Sequence, residues 1–277
     1  MTQRRVTRFW QAAEASDGAG VRLRRALGSR SGLRLDPFLM LDHFSSDDPE
    51  DYIAGFPAHP HRGFETVTYI VDGHMKHRDH LGNEGDLQAG GVQWMTAGRG
   101  IIHEEMPMQK DGLLRGFQLW LNLPARDKMK PAHYEDIPAE RMPWQPLAGG
   151  GQVKLIAGTA QGNRLAADAG RVTAPLIADV SLAGSEETLI LPSSHQAAVY
   201  GFEGELSIGE QRLAATELAL LGEGDRLVLQ APGPARLLLI AGVPLNEPVA
   251  QYGPFVMNTQ EEVEQAIRDY RDGVLTG

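Results

Sequence analysis

Hydrophobic and polar residues alternate at period two through short segments bounded by glycine and proline, the pattern of antiparallel strands with one wet face. In ETVTYIVDG, Val67, Tyr69 and Val71 share a face, and in GFQLWLNLP, Phe117, Leu119, Leu121 and Leu123 oppose Gln118, Trp120 and Asn122. Both segments read as half-buried strands. VRLRR sets Val21 and Leu23 against Arg22 and Arg24 in the same way. One segment departs from the rule. In TQEEVEQAIRDYRDG the apolar positions Val263, Ala266, Ile267 and Tyr270 fall on one helical face, Thr259 stands where a cap belongs, Glu262 follows three residues later, and Gly273 ends the pattern. The chain is expected to be all-β, closed by one C-terminal helix.

The strand pattern recurs. VTYIVDG, near Gly73, resembles AVYGFEG, near Gly204, and LWLNLP, ending at Pro124, resembles LLIAGVP, ending at Pro244. Two similar β units are expected, joined through the polar, proline-rich stretch from Arg126 to Gly151, with the boundary near Tyr134. Residues 1–133 then form an N-terminal unit and 134–277 a C-terminal unit that includes the helix. The 277-residue length suits two such domains.

Composition narrows the chemistry. The absence of cysteine excludes disulfides, thiolate metal sites and cysteine nucleophiles, and it suits a reducing cytoplasm. The longest apolar runs are too short to span a membrane, and MTQRRVTRFW lacks a secretory apolar stretch, so a soluble cytoplasmic protein is expected. A net charge of −10 argues against direct binding of nucleic acid. That charge is uneven, because the segment from Met1 to Arg34 is rich in arginine, including Arg22, Arg24 and Arg34. These arginines read as the wet face of a strand.

Histidines crowd the first half. His59 and His61 in AHPHRGFE are two residues apart, so an extended backbone projects both from one face; His103 and Glu105 in GIIHEEMP repeat the spacing, with Glu104 turned away. On neighbouring strands the two pairs would aim four ligands at one point, a mixed N/O set that suits a divalent first-row metal and is suited to iron. His74, His77 and His80 read as solvated histidines at a hairpin tip between Gly73 and Gly82, and His43, His133 and His195 as structural or surface residues. TAGRGI, with Gly98 and Gly100, is read as a tight turn delivering His103 rather than a phosphate loop. Phe56, Phe64, Met95 and Met106 are candidates for an apolar substrate pocket, with Arg99 as a contact for an anionic ligand.

HPHRGFETVTYIVDG, QWMTAGRGIIHEEMP, LDPFL from Leu35, LLGEGD from Leu220 and GPFVMNTQEE from Gly253 together resemble the pirins over nearly the whole chain. The resemblance implies a bicupin of two antiparallel β-barrels facing each other, with one metal in the N-terminal barrel. It carries the iron ligands over to His59, His61, His103 and Glu105, and names Glu65 as the competing carboxylate, since general cupins use the Glu shortly after HxH. Aligning Gly204 on Gly73 puts Ile190 and Pro192 where His59 and His61 stand, so the second barrel is expected to be metal-free. Function follows in two versions. Bacterial pirins look like quercetin 2,3-dioxygenases, which implies a flavonol-like substrate, dioxygen, and Fe(II) at a three-His one-Glu site that also accepts Ni, Co, Cu, Mn or Zn, with Glu105 as ligand and base. Eukaryotic pirins look like iron-dependent regulators, which implies a redox-sensing protein acting on a protein partner. The enzyme is the favoured version, in a monomer.

Overall fold

The computed structural model describes residues 1–28 and 34–277, and Arg30 of the basic segment lies outside them. The period-two segments become strands, and the chain divides into two β units. One comprises residues 14–28, 38–141 and 245–277; the other comprises 1–13, 34–37 and 142–244.

The first unit holds a seven-stranded sheet, with strands in the order His133–Ile137, Val92–Thr96, Phe64–Asp72, Leu114–Asn122, Phe38–Ser46, Val21–Leu27 and Ala13–Asp17. Its four-stranded sheet runs Phe56–His61, Ile101–Pro107, His74–Asp79 and Glu84–Gln88. The second unit repeats this plan. Its central strands Glu217–Leu221, Gln196–Glu203, Pro234–Gly242 and Leu176–Ala183 follow the same order, as do Glu186–Ile190, Arg226–Gln230, Glu205–Ile208 and Gln211–Ala214. The paired sequence repeats are thus equivalent strands of two bicupin halves, and the strand pairs of these blocks are antiparallel.

The expected division at residues 133 and 134 differs from this arrangement at both ends. The first strand, Val6–Gln11, pairs with Glu217–Leu221 and so completes a sheet of the second unit. Residues 245–277, with the helix Gln260–Arg271, belong to the first. The change of unit falls after Arg141, inside the proline-rich stretch. Chain order carries no record of such exchanges, because a strand pairs wherever an edge accepts its register.

The strand Phe64–Asp72 differs from the half-buried expectation in being covered on both faces, whereas Leu114–Asn122 keeps a partly exposed face at Arg115, Gln118 and Trp120. Val67 pairs with Leu119 and Tyr69 with Phe117 on one face. The alternate residues of the second strand, Gln118 and Trp120, line a cavity. In Val21–Leu27 the alternation has the same sense: Val21 and Leu23 are buried, Arg22 is exposed, and Leu23 and Arg25 reach the cavity. The helix is capped as its sequence dictates, with Thr259 accepting from the Glu262 amide and the Glu262 side chain returning to the Thr259 amide. Val263 and Ala266 are its buried positions, while Tyr270 is exposed.

Candidate metal centre

Three imidazoles meet because two strands pair in one register. Phe56–His61 lies antiparallel to Ile101–Pro107, with His59 opposite His103 and His61 opposite Ile101. Along the second strand Ile101, His103 and Glu105 are buried while Ile102 and Glu104 are half-buried, so alternation alone puts His103 and Glu105 on the inward face. Glycine shapes the approaches. Gly63, at φ 92°, would put a Cβ 1.9 Å from the Val256 carbonyl oxygen, and Gly98, at φ 51°, would put one 2.1 Å from that of Lys130. Neither position tolerates a side chain.

His59, His61 and His103 each offer a ring nitrogen, and the three nitrogens lie within 4.8 Å of one another. His59 Nδ1–H donates to the Pro57 carbonyl at 2.8 Å, which leaves its Nε2 a bare lone pair. That Nε2 stands 3.0 Å from His61 Nε2. Two nitrogens each about 2.1 Å from a shared divalent ion are about 3.0 Å apart when their bonds meet near a right angle. His103 Nε2 is buried with no hydrogen-bond partner among the described residues. Burial holds the His61 imidazole well below its ordinary pKa; His59 adds to this and the Pro254 carbonyl opposes it. Burial does the same to His103, with His61, His59 and His77 contributing. Three converging ring nitrogens, two of them on imidazoles whose burial disfavours protonation, fit a divalent cation.

The two candidate carboxylates fall on different sides. Glu65 accepts from Thr96 Oγ1 at 2.7 Å and Trp94 Nε1 at 3.3 Å, and lies 3.3 Å from Lys130 Nζ. It stands on its strand with Val67 and Tyr69, turned from the alternate position Thr68. Glu105 is buried, and accepts from Thr68 Oγ1 at 2.9 Å and from Gln118 Nε2 at 2.8 Å. It stands outside the three-histidine group, its carboxylate held by those two donors.

His59 and His61 also line the cavity, whose volume is about 650 Å³. Of the five expected pocket residues Phe56 lines it. Phe64 is buried edge-on to His61 at 5.0 Å, Met95 packs with Ala97 and Ile101, Met106 is half-buried, and Arg99 is exposed, with its carbonyl accepting from Arg62 Nε. Proximity along the chain does not bring these four to the cavity, because neighbours on a strand diverge. Its walls come from distant segments instead: Leu23, Met40, Phe44 and Trp120, with Gln118 and the pair Arg25 and Asp42. Arg25 grips Asp42 with two hydrogen bonds, Nε to Oδ1 at 2.8 Å and Nη2 to Oδ2 at 2.6 Å. The alternation of VRLRR was the available signal for Arg25, which continues the Val21 and Leu23 face.

His77 was also hidden in the sequence. The expected hairpin tip is the strand His74–Asp79, in which Met75 and His77 are buried. His77 Nδ1 lies 3.4 Å from His103 Nδ1. Period two in Met75, His77 and Asp79 against His74, Lys76 and Arg78 was the sign. His74 pairs with Asp86, and His80 accepts from the Ile102 amide. His43 is buried and stacked on Phe117 at 4.7 Å, His195 meets the Ala174 carbonyl, and His133 is exposed.

Comparison with known proteins agrees with this architecture. The pirin family model matches residues 20–121 and the pirin C-terminal cupin domain matches 177–276. A Pseudomonas aeruginosa protein, a candidate quercetin 2,3-dioxygenase by name, is 54% identical over 268 residues, covering 94% of each chain. Human pirin is 40% identical over 279 residues, covering 98% of this chain and 93% of its own. The crystal structure of a quercetin 2,3-dioxygenase from Acinetobacter baumannii superposes with a TM-score of 0.90 at 35% identity, covering 99% of both chains.

Proposed function

The chain belongs to the pirin family, and we propose that within it this protein is a metal-dependent dioxygenase that opens flavonols such as quercetin. The observation that carries the reading is the convergence of His59, His61 and His103, the first two of which line a cavity of about 650 Å³. The names of the Pseudomonas and Acinetobacter proteins supply the substrate class.

His59, His61 and His103 would hold the ion, with Glu105 as fourth ligand and Fe(II) as the resident metal; Ni, Co, Cu, Mn and Zn suit the same nitrogen and oxygen donors. A redox-active divalent ion supplies Lewis acidity toward an enolate oxygen and a route for dioxygen to react with a closed-shell organic molecule. The protein's own residues do the rest. Thr68 and Gln118 orient the Glu105 carboxylate, which accepts the flavonol hydroxyl proton at one oxygen. Phe56, Phe44 and Trp120 pack the flat rings and exclude water, and the Arg25–Asp42 pair and Gln118 meet the ring hydroxyls. Trp120 Nε1–H has no acceptor among the described residues and offers one further hydrogen bond.

The regulatory alternative draws on a basic surface, yet Arg22 is paired with Asp51 at 3.1 Å and Arg24 with Glu14 at 3.0 Å. Those two charges are met within the chain. An aerobic assay with protein of defined metal content, following flavonol loss, oxygen uptake and carbon monoxide release, tests the enzyme reading. Iron-loaded protein should consume both substrates, and Glu105→Gln should lose turnover while retaining flavonol binding. Absence of oxygen uptake with any flavonol would overturn it.

A further inference from the structure

Behind His103 runs a second line of polar groups that metal binding itself does not require. His103 Nδ1 lies 3.4 Å from His77 Nδ1, and His77 Nε2 lies 3.5 Å from Asp79 Oδ2. Both the His77 and the Asp79 side chains are fully buried. Asp79 is itself anchored, Oδ1 accepting from the amides of Leu81 at 2.9 Å and Asn83 at 3.1 Å, and Oδ2 from Asn83 Nδ2 at 2.8 Å. His77 is clamped from the side by Tyr134, whose ring stacks on it at 4.5 Å and 20°.

We propose that His77 is a positioning residue that fixes the tautomer and ring orientation of His103, completing an Asp79–His77–His103 line directed at the metal. The proposal rests on His103 being a ligand. Two independent features set the direction of the line. At its inner end a proton on His103 Nε2 would be a buried donor with no acceptor among the described residues, so the proton belongs on Nδ1. At its outer end the Asp79 carboxylate, an acceptor, faces His77 Nε2, so that nitrogen carries the His77 proton and leaves Nδ1 with a lone pair. Both choices give the same bond, His103 Nδ1–H donating to His77 Nδ1. A carboxylate behind a ligand imidazole raises its basicity and stops it rotating; here a second imidazole relays the effect. The role concerns which atom bears a proton, and asks no change of protonation.

The test uses the full chain with Zn(II) as a diamagnetic probe. Affinity is read by competition with a chromophoric chelator, and imidazole tautomers by long-range proton–nitrogen NMR. His77→Phe keeps a ring against Tyr134 and removes the acceptor, so Zn(II) should bind about 10- to 100-fold more weakly, whereas His77→Gln, whose carbonyl still accepts, should stay within about 3-fold of the native chain. NMR should place the His77 proton on Nε2 and a proton on His103 Nδ1. Native affinity in His77→Phe, or a His77 proton on Nδ1, overturns the proposal. If His77→Phe does not fold, Asp79→Asn decides: weaker Zn(II) binding supports the line, and native affinity overturns it. A native chain that binds no Zn(II) overturns the metal reading, and this inference with it.

Discussion

At the scale of single residues, the site was legible where two groups sat two apart on one strand, and illegible where the partner came from elsewhere. HPH announced the pairing of His59 and His61 through its spacing, and His103 joins them in the three-histidine group, whereas Glu105 stands outside it. Spacing also left Glu65 in contention, and the surrounding donors separate the two carboxylates: Glu65 is occupied by Thr96, Trp94 and Lys130. His61→Ala should therefore lose the metal by elemental analysis, while Glu65→Gln retains it with reduced stability, since Lys130 is left without its counter-charge. Arg25, Asp42 and Trp120 could not be read as cavity residues because their segments meet only in the folded unit. A second residue-scale expectation concerns acid. Burial depresses the His43 pKa to about 3, with Arg115 and Arg24 adding to the effect. The folded chain thus keeps His43 neutral while the unfolded chain takes up a proton near pH 6.5, so the unfolded state binds more protons throughout that window. Stability falls as pH drops through it, by at most roughly 5 kcal/mol at the acid end. Urea midpoints measured from pH 7 to 4 should fall less steeply in His43→Gln, which does not titrate; parallel curves would show that other groups set the acid limb.

At the scale of elements, period two located the strands correctly but misassigned what each face meets. Phe117, Leu119 and Leu121 are buried, as an apolar face should be. The polar face meets the cavity, which Gln118 and Trp120 line, and Gln118 donates to Glu105. A cavity wall and a solvated face have the same alternation, so hydropathy alone cannot separate them. The helix was fully legible because its cap, box and terminating glycine are local. Its placement was not. It lies in the first unit, where Asp269 accepts from Arg62 Nη1 at 2.6 Å and the Leu275 carbonyl accepts from Arg62 Nη2 at 3.1 Å. Arg62 directly follows His61, so this contact braces the strand that carries His59 and His61. Thr259→Ala should cost about 1 kcal/mol in denaturant unfolding and leave metal content unchanged, because it loosens the cap without touching Arg62. Arg62→Leu should lower both, since Asp269 and two carbonyls lose their donor; unchanged metal content in that variant would remove the brace from the account.

At the scale of the whole molecule, the internal repeat foretold two equivalent units, which the matching strand orders bear out. The strand pair matching the histidine-bearing one sets Leu189 opposite Leu227 and Thr188 opposite Val228, residues that offer no imidazole. Among the described residues the three-histidine group has no counterpart there, so elemental analysis of loaded protein should give one metal per chain. The net charge of −10 and its arginine-rich start raised the other large-scale question, whether function resides at the cavity or on a basic surface. Arg22 and Arg24 spend their charge on Asp51 and Glu14, whereas Arg25, their neighbour, turns inward to Asp42 at the cavity wall. Replacing Arg22, Arg24 and Arg34 together by Gln should thus leave flavonol turnover at the native rate. The exposed ion pairs so removed are each worth about 0–1 kcal/mol, too little to disturb the fold. Arg25→Gln is the contrasting variant, because it strips a bidentate donor from a carboxylate that is 3% exposed. It should weaken flavonol binding and lower stability together. Turnover lost in the triple variant with metal content and unfolding midpoint intact would move the functional surface from the cavity to the basic segment.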